Sequence, residues 1–367
     1  MPFNILKLSS SVRNTNELPA LTGIRGVAAT GVLFAHINAD LEDWSLMEKY
    51  LYAQAYVDLF FILSGFVISY VYMTKSEWAY AYVKKFYIAR FARIYPLQLF
   101  SLTIALLILL SNVLTVENLP NAISHQALIK QVLLLNAMPV VTLNNTLIFT
   151  SWSVSIEWWL YILVFPILFT LKNIRKYLAS PLIITLTMLS VVVFLHNLPD
   201  DVRFTRGWPA WIRGVSGFSV GWLIHYHYTK RTKFSVFCQK YCTLLVSGWM
   251  LTILILPQFT LQQPWVALVL SPFVLMGLCY DTSTASKLLS NKAIVFLGDI
   301  SYSIYMLHPI VLIILTNIFP FLDLSDALVI ILFTSLGVGL TLITSSISYN
   351  YIEKPGRNWL NRKLYKR

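Results

Sequence analysis

The sequence predicts an all-α integral membrane protein, a bundle of about ten transmembrane helices with both termini in the cytoplasm. Hydrophobic residues make up 57% of the 367 residues and charged residues only 12%, whereas soluble domains contain about 25% charged residues. Apolar runs long enough to cross a bilayer recur along the whole chain. Lysine and arginine concentrate in alternate loops, as expected when basic loops stay in the cytoplasm.

Each predicted span is an apolar run bounded by polar or basic residues. The runs lie at residues 18–38, 54–74, 96–116, 151–171, 177–197, 209–228, 241–260, 264–281, 294–319 and 326–350. With the N-terminus inside, most lysines and arginines that lie between spans fall on the cytoplasmic side. Residues 1–17 are too polar for the apolar core of a cleavable signal, so we expect the first span to remain in the membrane.

The remaining composition excludes several classes of protein. The excess of 28 Lys and Arg over 16 Asp and Glu marks cytoplasmic loops here, so no nucleic-acid partner is expected. Three cysteines without metal-ligand spacing predict neither a disulfide framework nor a metal site. The apolar segment 125–139 is too short to span and is expected to be re-entrant or interfacial. We predict one transmembrane domain over residues 1–367, with no appended soluble domain.

The first span carries an arginine and a histidine through apolar surroundings. Arg25 and His36 lie eleven residues apart, which on an ideal helix is about 16 Å of rise and about 20° of rotation. They therefore share one face. A cation at the bilayer centre costs at least about 2.5 kcal/mol, so such residues usually face a protein interior or a water-filled cavity. This face is predicted to line a reaction path; the alternative is an interfacial Arg25 and a packed His36.

Ionisable residues of other spans add to this predicted path. The depth of each residue in the membrane is estimated from its distance to the nearer end of its span. By this estimate an outer layer contains His36, Asp58 and Glu157, an inner layer contains Arg25 and Asp299, and His308 lies between the two layers. A carboxylate beside a histidine orients it and raises its basicity, which is how a hydroxyl nucleophile is commonly activated. The candidate pair is His36 with Glu157 or Asp58. Asp299 could instead neutralise Arg25 as part of the scaffold.

Residues 84–96 are expected to form a basic, amphipathic cytoplasmic helix. Its Arg90 and Arg93 are neighbours on one face and could clamp phosphates; the alternative is a helix that lies on anionic lipid. Small and hydroxyl residues in 60–66 and 298–309 either allow close helix packing or line a tunnel for a donor molecule.

Six segments together resemble the membrane-bound acyltransferase family 3. They are the Arg25-x10-His36 spacing, VDLFFILSGFVIS at 57–69, RFARIYP at 90–96, SWSVSIEWWLY at 151–161, GDISYSIYMLHP at 298–309 and YNYIEKPGR at 349–357. They occur in the family's order over nearly the whole chain. The family consists of ten-span proteins that move an acyl group, most often acetyl, from cytoplasmic coenzyme A to an extracytoplasmic saccharide hydroxyl.

The resemblance implies that His36 and Arg25 are catalytic, that Arg90 and Arg93 bind the acyl-CoA, and that Glu157 and segment 298–308 lie at the central cavity. Our reading of the residues adds Glu157 and Asp58 to the catalytic candidates and Ser64, Tyr302 and Ser303 to the acyl-CoA site. The further cavity candidates are Asp299, His308, Trp152 and Ser153. The resemblance also implies acetyl-CoA or another acyl-CoA as the donor, no metal, and a location in the inner (cytoplasmic) membrane. Membrane lipid and a glycan or lipid-linked glycan, such as lipopolysaccharide O-antigen or capsule, would be the partners.

Two other functions fit the intramembrane charges. An ion-coupled multi-pass transporter also places ionisable residues along its pathway, although no internal repeat is visible in this chain. A glycolipid flippase is the third hypothesis. Only the acyltransferase would consume a thioester.

Overall fold

The computed structural model describes residues 18–41, 51–73, 80–110, 124–139, 146–198, 205–254, 265–280, 282–322 and 325–365. Every regular element within these ranges is helical, which confirms the predicted all-α class. The α-helices are α1 (Pro19–Leu41), α2 (Leu51–Tyr72), α3 (Tyr80–Leu110), α4 (His125–Val132), α5 (Ser151–Trp159), α6 (Phe165–Thr170), α7 (Arg175–Leu178), α8 (Pro181–His196), α9 (Gly207–Lys230), α10 (Lys233–Lys240), α11 (Cys242–Leu254), α12 (Trp265–Leu278), α13 (Thr284–Leu289), α14 (Lys292–Asp299), α15 (Ser301–Ile318), α16 (Asp326–Ser348) and α17 (Lys354–Tyr365).

Short segments of other helix types connect some of these. π-Helical turns at Leu160–Val164 and Tyr349–Glu353 join α5 to α6 and α16 to α17. 3₁₀ turns occupy Leu171–Asn173 and Phe319–Phe321. The π-turns become important below because each places a side chain beside the candidate site.

Six helical segments of the described residues are long and apolar enough to cross a membrane. They are Pro19–Ile37, Gln54–Tyr72, Tyr80–Leu110, Ser151–Asn173, Ser301–Ile318 and Asp326–Tyr365. A seventh is added if α10 and α11, which meet at 70°, form one span, while α8 and Val266–Leu278 are apolar but shorter. The count of about ten spans and the cytoplasmic termini stay predictions. The N-terminal segment 1–17 and parts of predicted spans 96–116, 241–260 and 264–281 lie outside the described residues.

Two predicted boundaries are wrong. The basic segment 84–96 is not a separate helix, because α3 runs without interruption from Tyr80 to Leu110 through Pro96. The predicted span 294–319 is divided at Ile300, where α14 ends and α15 begins. The apolar pattern continues across both points, so the sequence alone did not reveal where the helices join or break.

The centre of the bundle is the pair α2 and α9, which lie side by side and run parallel. Asp58 of α2 bonds to Arg213 of α9 near one end, and the rings of Phe66 and Tyr228 meet near the other. A Cβ atom at Gly65 would overlap the carbonyl of Phe218. This glycine therefore allows a close helix approach, the packing that small residues favour in membranes.

The short segment 124–139 lies against the start of α5 rather than crossing the bundle. After α4, Leu134 adopts a φ of 54°, which is unusual for a leucine. Its carbonyl oxygen accepts hydrogen bonds from Ser155 Oγ at 2.6 Å and Trp159 Nε1 at 2.8 Å. The chain is thus turned back toward α5. The segment covers the N-terminal part of α5, where Ser151–Ile156 are all buried.

Candidate active site

A cavity of about 140 Å³, partly open to the outside, lies between α1, α2, α3, α5 and α15. The charged and polar side chains that line it are Arg25, Ser64, Arg90, Arg93, Ser153, Glu157, Tyr161, Ser301, Tyr302 and Tyr305. Three arginines thus face one carboxylate. Because the wall carries excess positive charge, the cavity is suited to an anionic ligand.

Arg25 reaches the cavity from α1 through a close contact with α14. Its Nε and one terminal nitrogen donate to the carbonyl oxygen of Gly298, at 3.0 and 2.6 Å. A Cβ atom at Gly298 would overlap the carbonyl of Thr22, so glycine allows α1 and α14 to approach this closely. The guanidinium is oriented by the C-terminal carbonyls of α14, where a helix attracts cations. Asp299, the next residue, is absent from the cavity lining.

Arg93 is paired with an acid that the sequence analysis did not single out. Its guanidinium forms a salt bridge with Glu353, whose side chain is 0% exposed. The second oxygen of Glu353 accepts a hydrogen bond from Ser303 Oγ at 3.0 Å. The Arg93 guanidinium also lies 5.3 Å from the centre of the Tyr302 ring, whose hydroxyl donates to the Ile94 carbonyl. Arg93 is therefore held in place from both sides.

Arg90 differs from Arg93 because none of the described residues gives it a carboxylate partner. Its guanidinium lies 5.7 Å from the ring centres of both Tyr72 and Tyr161, a cation–π geometry. The Nε atom is buried, with no hydrogen-bond acceptor among the residues described. A buried donor without an acceptor is costly, so this arginine is the cavity cation best placed to gain an anionic ligand.

Glu157 lines the same cavity, near Arg90 of α3, since both contact Tyr161. One of its oxygens accepts hydrogen bonds from Ser64 Oγ at 2.6 Å and from the Tyr161 hydroxyl. Glu157 is therefore bonded to Ser64 and Tyr161 rather than to His36. Its predicted depth in the outer half of the membrane stays a prediction.

His36 bonds to another histidine and to a backbone carbonyl, but to neither predicted carboxylate. His308 Nδ1 lies 2.9 Å from the Ile304 carbonyl, so Nδ1 carries the proton and Nε2 is an acceptor. That Nε2 lies 3.3 Å from His36 Nδ1, which is also 2.8 Å from the Val32 carbonyl. His36 Nδ1 therefore carries a proton. Its Nε2 then holds the lone pair, as a general base requires.

One aromatic ring of the cavity wall, that of Tyr305, contacts this histidine pair. Tyr305 lines the cavity, and its ring centre is 6.1 Å from that of His308 and 6.2 Å from that of Phe60. The Tyr305 hydroxyl accepts a hydrogen bond from Ser153 Oγ at 2.7 Å. His36 and His308 do not line the cavity. Arg25 and His36 thus share one helix but border different spaces.

Asp58 belongs to a separate buried ion pair. Its Oδ1 accepts from Arg213 Nε at 2.9 Å, and the terminal nitrogen NH2 lies at 2.8 Å. The same guanidinium donates to the Gln54 side chain at 2.6 Å and lies 5.2 Å from the centre of the Trp152 ring. Asp58 and Trp152 are therefore occupied by Arg213 and do not line the cavity. The expected pairing of Asp58 with His36 is not present.

The predicted site residues thus divide into two sets. The structure brings to the cavity wall Arg25, Ser64, Arg90, Arg93, Ser153, Glu157 and Tyr302. It places away from that wall His36, Asp58, Trp152, Asp299, Ser303 and His308. Their functional roles stay predictions. The described residues contain no group of three or more His, Cys, Asp or Glu side chains arranged to hold a metal ion.

Two site residues that the sequence analysis did not assign, Tyr161 and Glu353, lie in π-helical turns. Such turns are rare and frequently occur at functional sites. The extra residue in the turn changes the direction of the following side chains, which no apolar periodicity predicts. For Glu353, a usable signal was present, since it is the acid within the quoted motif YNYIEKPGR.

Comparisons with known proteins show the family of this chain. The acyltransferase-3 family model, described as an acyltransferase domain, matches residues 18–349. "Acyltransferase MdmB" of Streptomyces mycarofaciens is 34% identical over 167 residues, which are 44% of this chain and 41% of the relative. A Staphylococcus aureus (strain COL) protein named "Putative O-acetyltransferase" is 24% identical over 97% of this chain and 60% of its own length.

A more distant relative is similar in length to this chain. A protein of Acidianus two-tailed virus, named "Putative acetyltransferase", is 25% identical over 83% of this chain and 87% of the relative. In contrast, the matches cover about two fifths of the Streptomyces protein and three fifths of the Staphylococcus protein. No solved structure matches the chain.

Proposed function

The chain belongs to acyltransferase family 3, and from this membership we propose that it is an acyltransferase, together with its donor, its acceptor and the route between them. The donor is a cytoplasmic acyl-CoA, in the first instance acetyl-CoA. The acceptor is a hydroxyl of an extracytoplasmic saccharide, such as lipopolysaccharide O-antigen or a capsule glycan. The observation that carries this proposal is a cavity lined by three arginines, beside a histidine pair in which Nδ1 of His36 lies against the Val32 carbonyl and His308.

The arginine end of the cavity would hold the donor's phosphates. Arg90 has no carboxylate partner among the described residues, and Arg93 is fixed beside it by Glu353. Guanidinium groups bind phosphate through paired, charge-assisted hydrogen bonds. The phosphates of coenzyme A would therefore occupy the mouth of the cavity near α3, and the acyl end would point toward α15.

The transfer step would take place at His36. The acceptor oxygen attacks the thioester carbonyl while His36 Nε2 takes the hydroxyl proton. The carbonyl is restored as the carbon–sulfur bond breaks, and the imidazolium returns the proton to the departing thiolate. The products are an ester and free coenzyme A. His308 and the Val32 carbonyl hold the His36 ring in the required tautomer through its Nδ1–H.

In this proposal Arg25 positions the donor rather than contacting the reacting carbonyl. Arg25 and His36 are eleven residues apart on the continuous helix α1, a rise of about 16 Å. One carbonyl cannot contact both side chains. A donor held at the arginines must therefore extend its thioester past Arg25 and then past the rings of Phe60 and Tyr305 to reach His36.

The proposal is tested with purified protein in proteoliposomes. Acetyl-CoA is supplied on one side and de-O-acetylated lipopolysaccharide on the other, while free thiol and acetylated saccharide are both measured. We expect thiol release that depends on the saccharide and equals the ester formed, and we expect His36→Gln to abolish both. Movement of saccharide or ions without thioester consumption would overturn the proposal and favour a flippase or a transporter.

A further inference from the structure

A second cationic cluster lies away from the cavity, where α7 packs against α9. Arg175 of α7 donates from one terminal nitrogen to Nδ1 of His225 at 3.0 Å. Its guanidinium lies 5.6 Å from the ring centres of both Trp222 and Tyr226. These four residues, which we name the Arg175 cluster, surround the guanidinium with rings on α9.

The Arg175 cluster contains hydrogen-bond donors that have no acceptor. Arg175 Nε and Trp222 Nε1 are both buried and unpaired among the described residues, and Trp222 is only 2% exposed. Since His225 Nδ1 accepts from Arg175, the imidazole proton resides on Nε2, and no described residue accepts from that atom. Buried donors are normally satisfied. A cluster with donors alone fits a ligand that only accepts hydrogen bonds.

The charge of the Arg175 cluster is also uncompensated. No carboxylate oxygen of the described residues lies within 4.0 Å of Arg175, whose half-buried guanidinium has a pKa lowered to about 10 by burial. The group is therefore still charged at neutral pH. A charge removed from water without a partner is unfavourable, so an anion at this position would stabilise the local structure.

The surface around Arg175 resembles a segment that lies at a lipid headgroup layer. Apolar side chains are exposed along residues 171–178: Leu171, Ile174, Tyr177 and Leu178. Basic residues Lys172 and Lys176 alternate with them. Exposed apolar side chains interspersed with lysines are typical of chain segments in the interface of an anionic membrane. A water-soluble anion would explain the unpaired hydrogen-bond donors, but it would not explain the exposed apolar side chains of residues 171–178.

We propose that the Arg175 cluster binds the phosphate of an anionic phospholipid, with the acyl chains lying along the exposed apolar side chains of residues 171–178. The site is separate from the acyl-donor cavity, because no member of the cluster lines that cavity. Bound lipid would hold α7 against α9. The proposal does not depend on the identity of the acyl acceptor.

The test uses the full-length protein in detergent, with phosphatidylglycerol or phosphatidylcholine added and bound lipid counted by native mass spectrometry. We expect retained phosphatidylglycerol in the unmodified protein and binding about tenfold weaker or more in Arg175→Gln. Lys176→Gln, a matched neutralisation of an exposed residue in the same segment, should change binding less than about twofold. Trp222→Phe keeps a six-membered aromatic ring and removes the pyrrole ring that carries the N–H donor, so it should weaken binding severalfold.

Three results would overturn this inference. One is unchanged phosphatidylglycerol binding in both Arg175→Gln and Trp222→Phe. Another is an equal loss in Lys176→Gln, which would indicate a diffuse surface charge effect. The third is displacement of the lipid by an equal concentration of free glycerol phosphate, which would indicate a soluble phosphate ligand. If Arg175→Gln does not fold, Arg175→Lys replaces it, with the lost fork of donors expected to weaken binding.

Discussion

Replacing Arg93 should mainly lower stability, and replacing Arg90 should mainly weaken acyl-donor binding. The reason is that only Arg93, of these two cavity arginines of α3, has an acid partner. Arg93→Gln would leave Glu353 buried at 0% exposure with only Ser303 as a donor. Removing one partner of a buried pair costs about 3–5 kcal/mol, and we expect a fall in Tm of about 5–10 °C. Arg90→Gln removes only cation–π contacts with Tyr72 and Tyr161, worth about 0.5–1 kcal/mol each at exposed sites and about 2 when desolvated.

For acyl-donor binding we expect the larger effect in Arg90→Gln and the smaller effect in Arg93→Gln. Arg90 has uncommitted donors for a phosphate, so Arg90→Gln should raise the KM for acetyl-CoA about tenfold to a hundredfold with at most a small loss of Tm. The double variant Arg93→Gln/Glu353→Gln should recover at least half of the Tm lost by Arg93→Gln, because it removes the unpaired charge. The assays are thermal unfolding in detergent and initial rates of thiol release.

Equal Tm values for Arg90→Gln and Arg93→Gln would refute the reasoning. So would a double variant no more stable than Arg93→Gln alone, since Glu353 would then not depend on Arg93. An unchanged KM for acetyl-CoA in Arg90→Gln would separately remove this arginine from the proposed donor site.

Other predictions follow from the same contacts. His36→Gln should lower kcat by about 10²–10⁴-fold. His308→Phe should lower kcat only about tenfold, because the Val32 carbonyl still holds the His36 tautomer. Equal losses of kcat in the two variants would contradict the assigned roles. Tyr305→Trp should lower kcat for saccharide acetylation without changing the KM for acetyl-CoA, and unchanged kcat would show that the donor does not pass this ring. Trp159→Phe removes one of two hydrogen bonds to the Leu134 carbonyl and should cost about 1 kcal/mol, measured as a small loss of Tm.

Much of the candidate site could be predicted because charge is costly in lipid. Arg25 and Glu157 stand out in apolar helices, and both line the cavity. Arg90 and Arg93, which also line it, were assigned from the basic segment 84–96 and the family resemblance instead. The eleven-residue spacing of Arg25 and His36 also placed both on one helix, as the continuous α1 shows. The sequence did not show that Glu157 bonds to Ser64 and Tyr161 rather than to His36.

The partner of each ionisable residue was decided by which helices are adjacent. Asp58 pairs with Arg213 because α2 lies along α9, and Arg93 pairs with Glu353 because the π-turn before α17 packs against α3. These partners are separated by 155 and 260 positions in the chain. The amino-acid pattern reports burial cost, which is local to one helix. The pattern does not show which helices lie next to each other in the bundle.

The sequence by itself determined that this is a helical membrane protein of acyltransferase family 3, because apolar runs and ordered motifs are properties of the linear chain. Only the tertiary structure decided that His36 is oriented by His308, where α1 packs against α15, and that neither histidine lines the arginine cavity. Hydrogen bonds act over about 3 Å. Partners are therefore chosen by helix packing rather than by residue type.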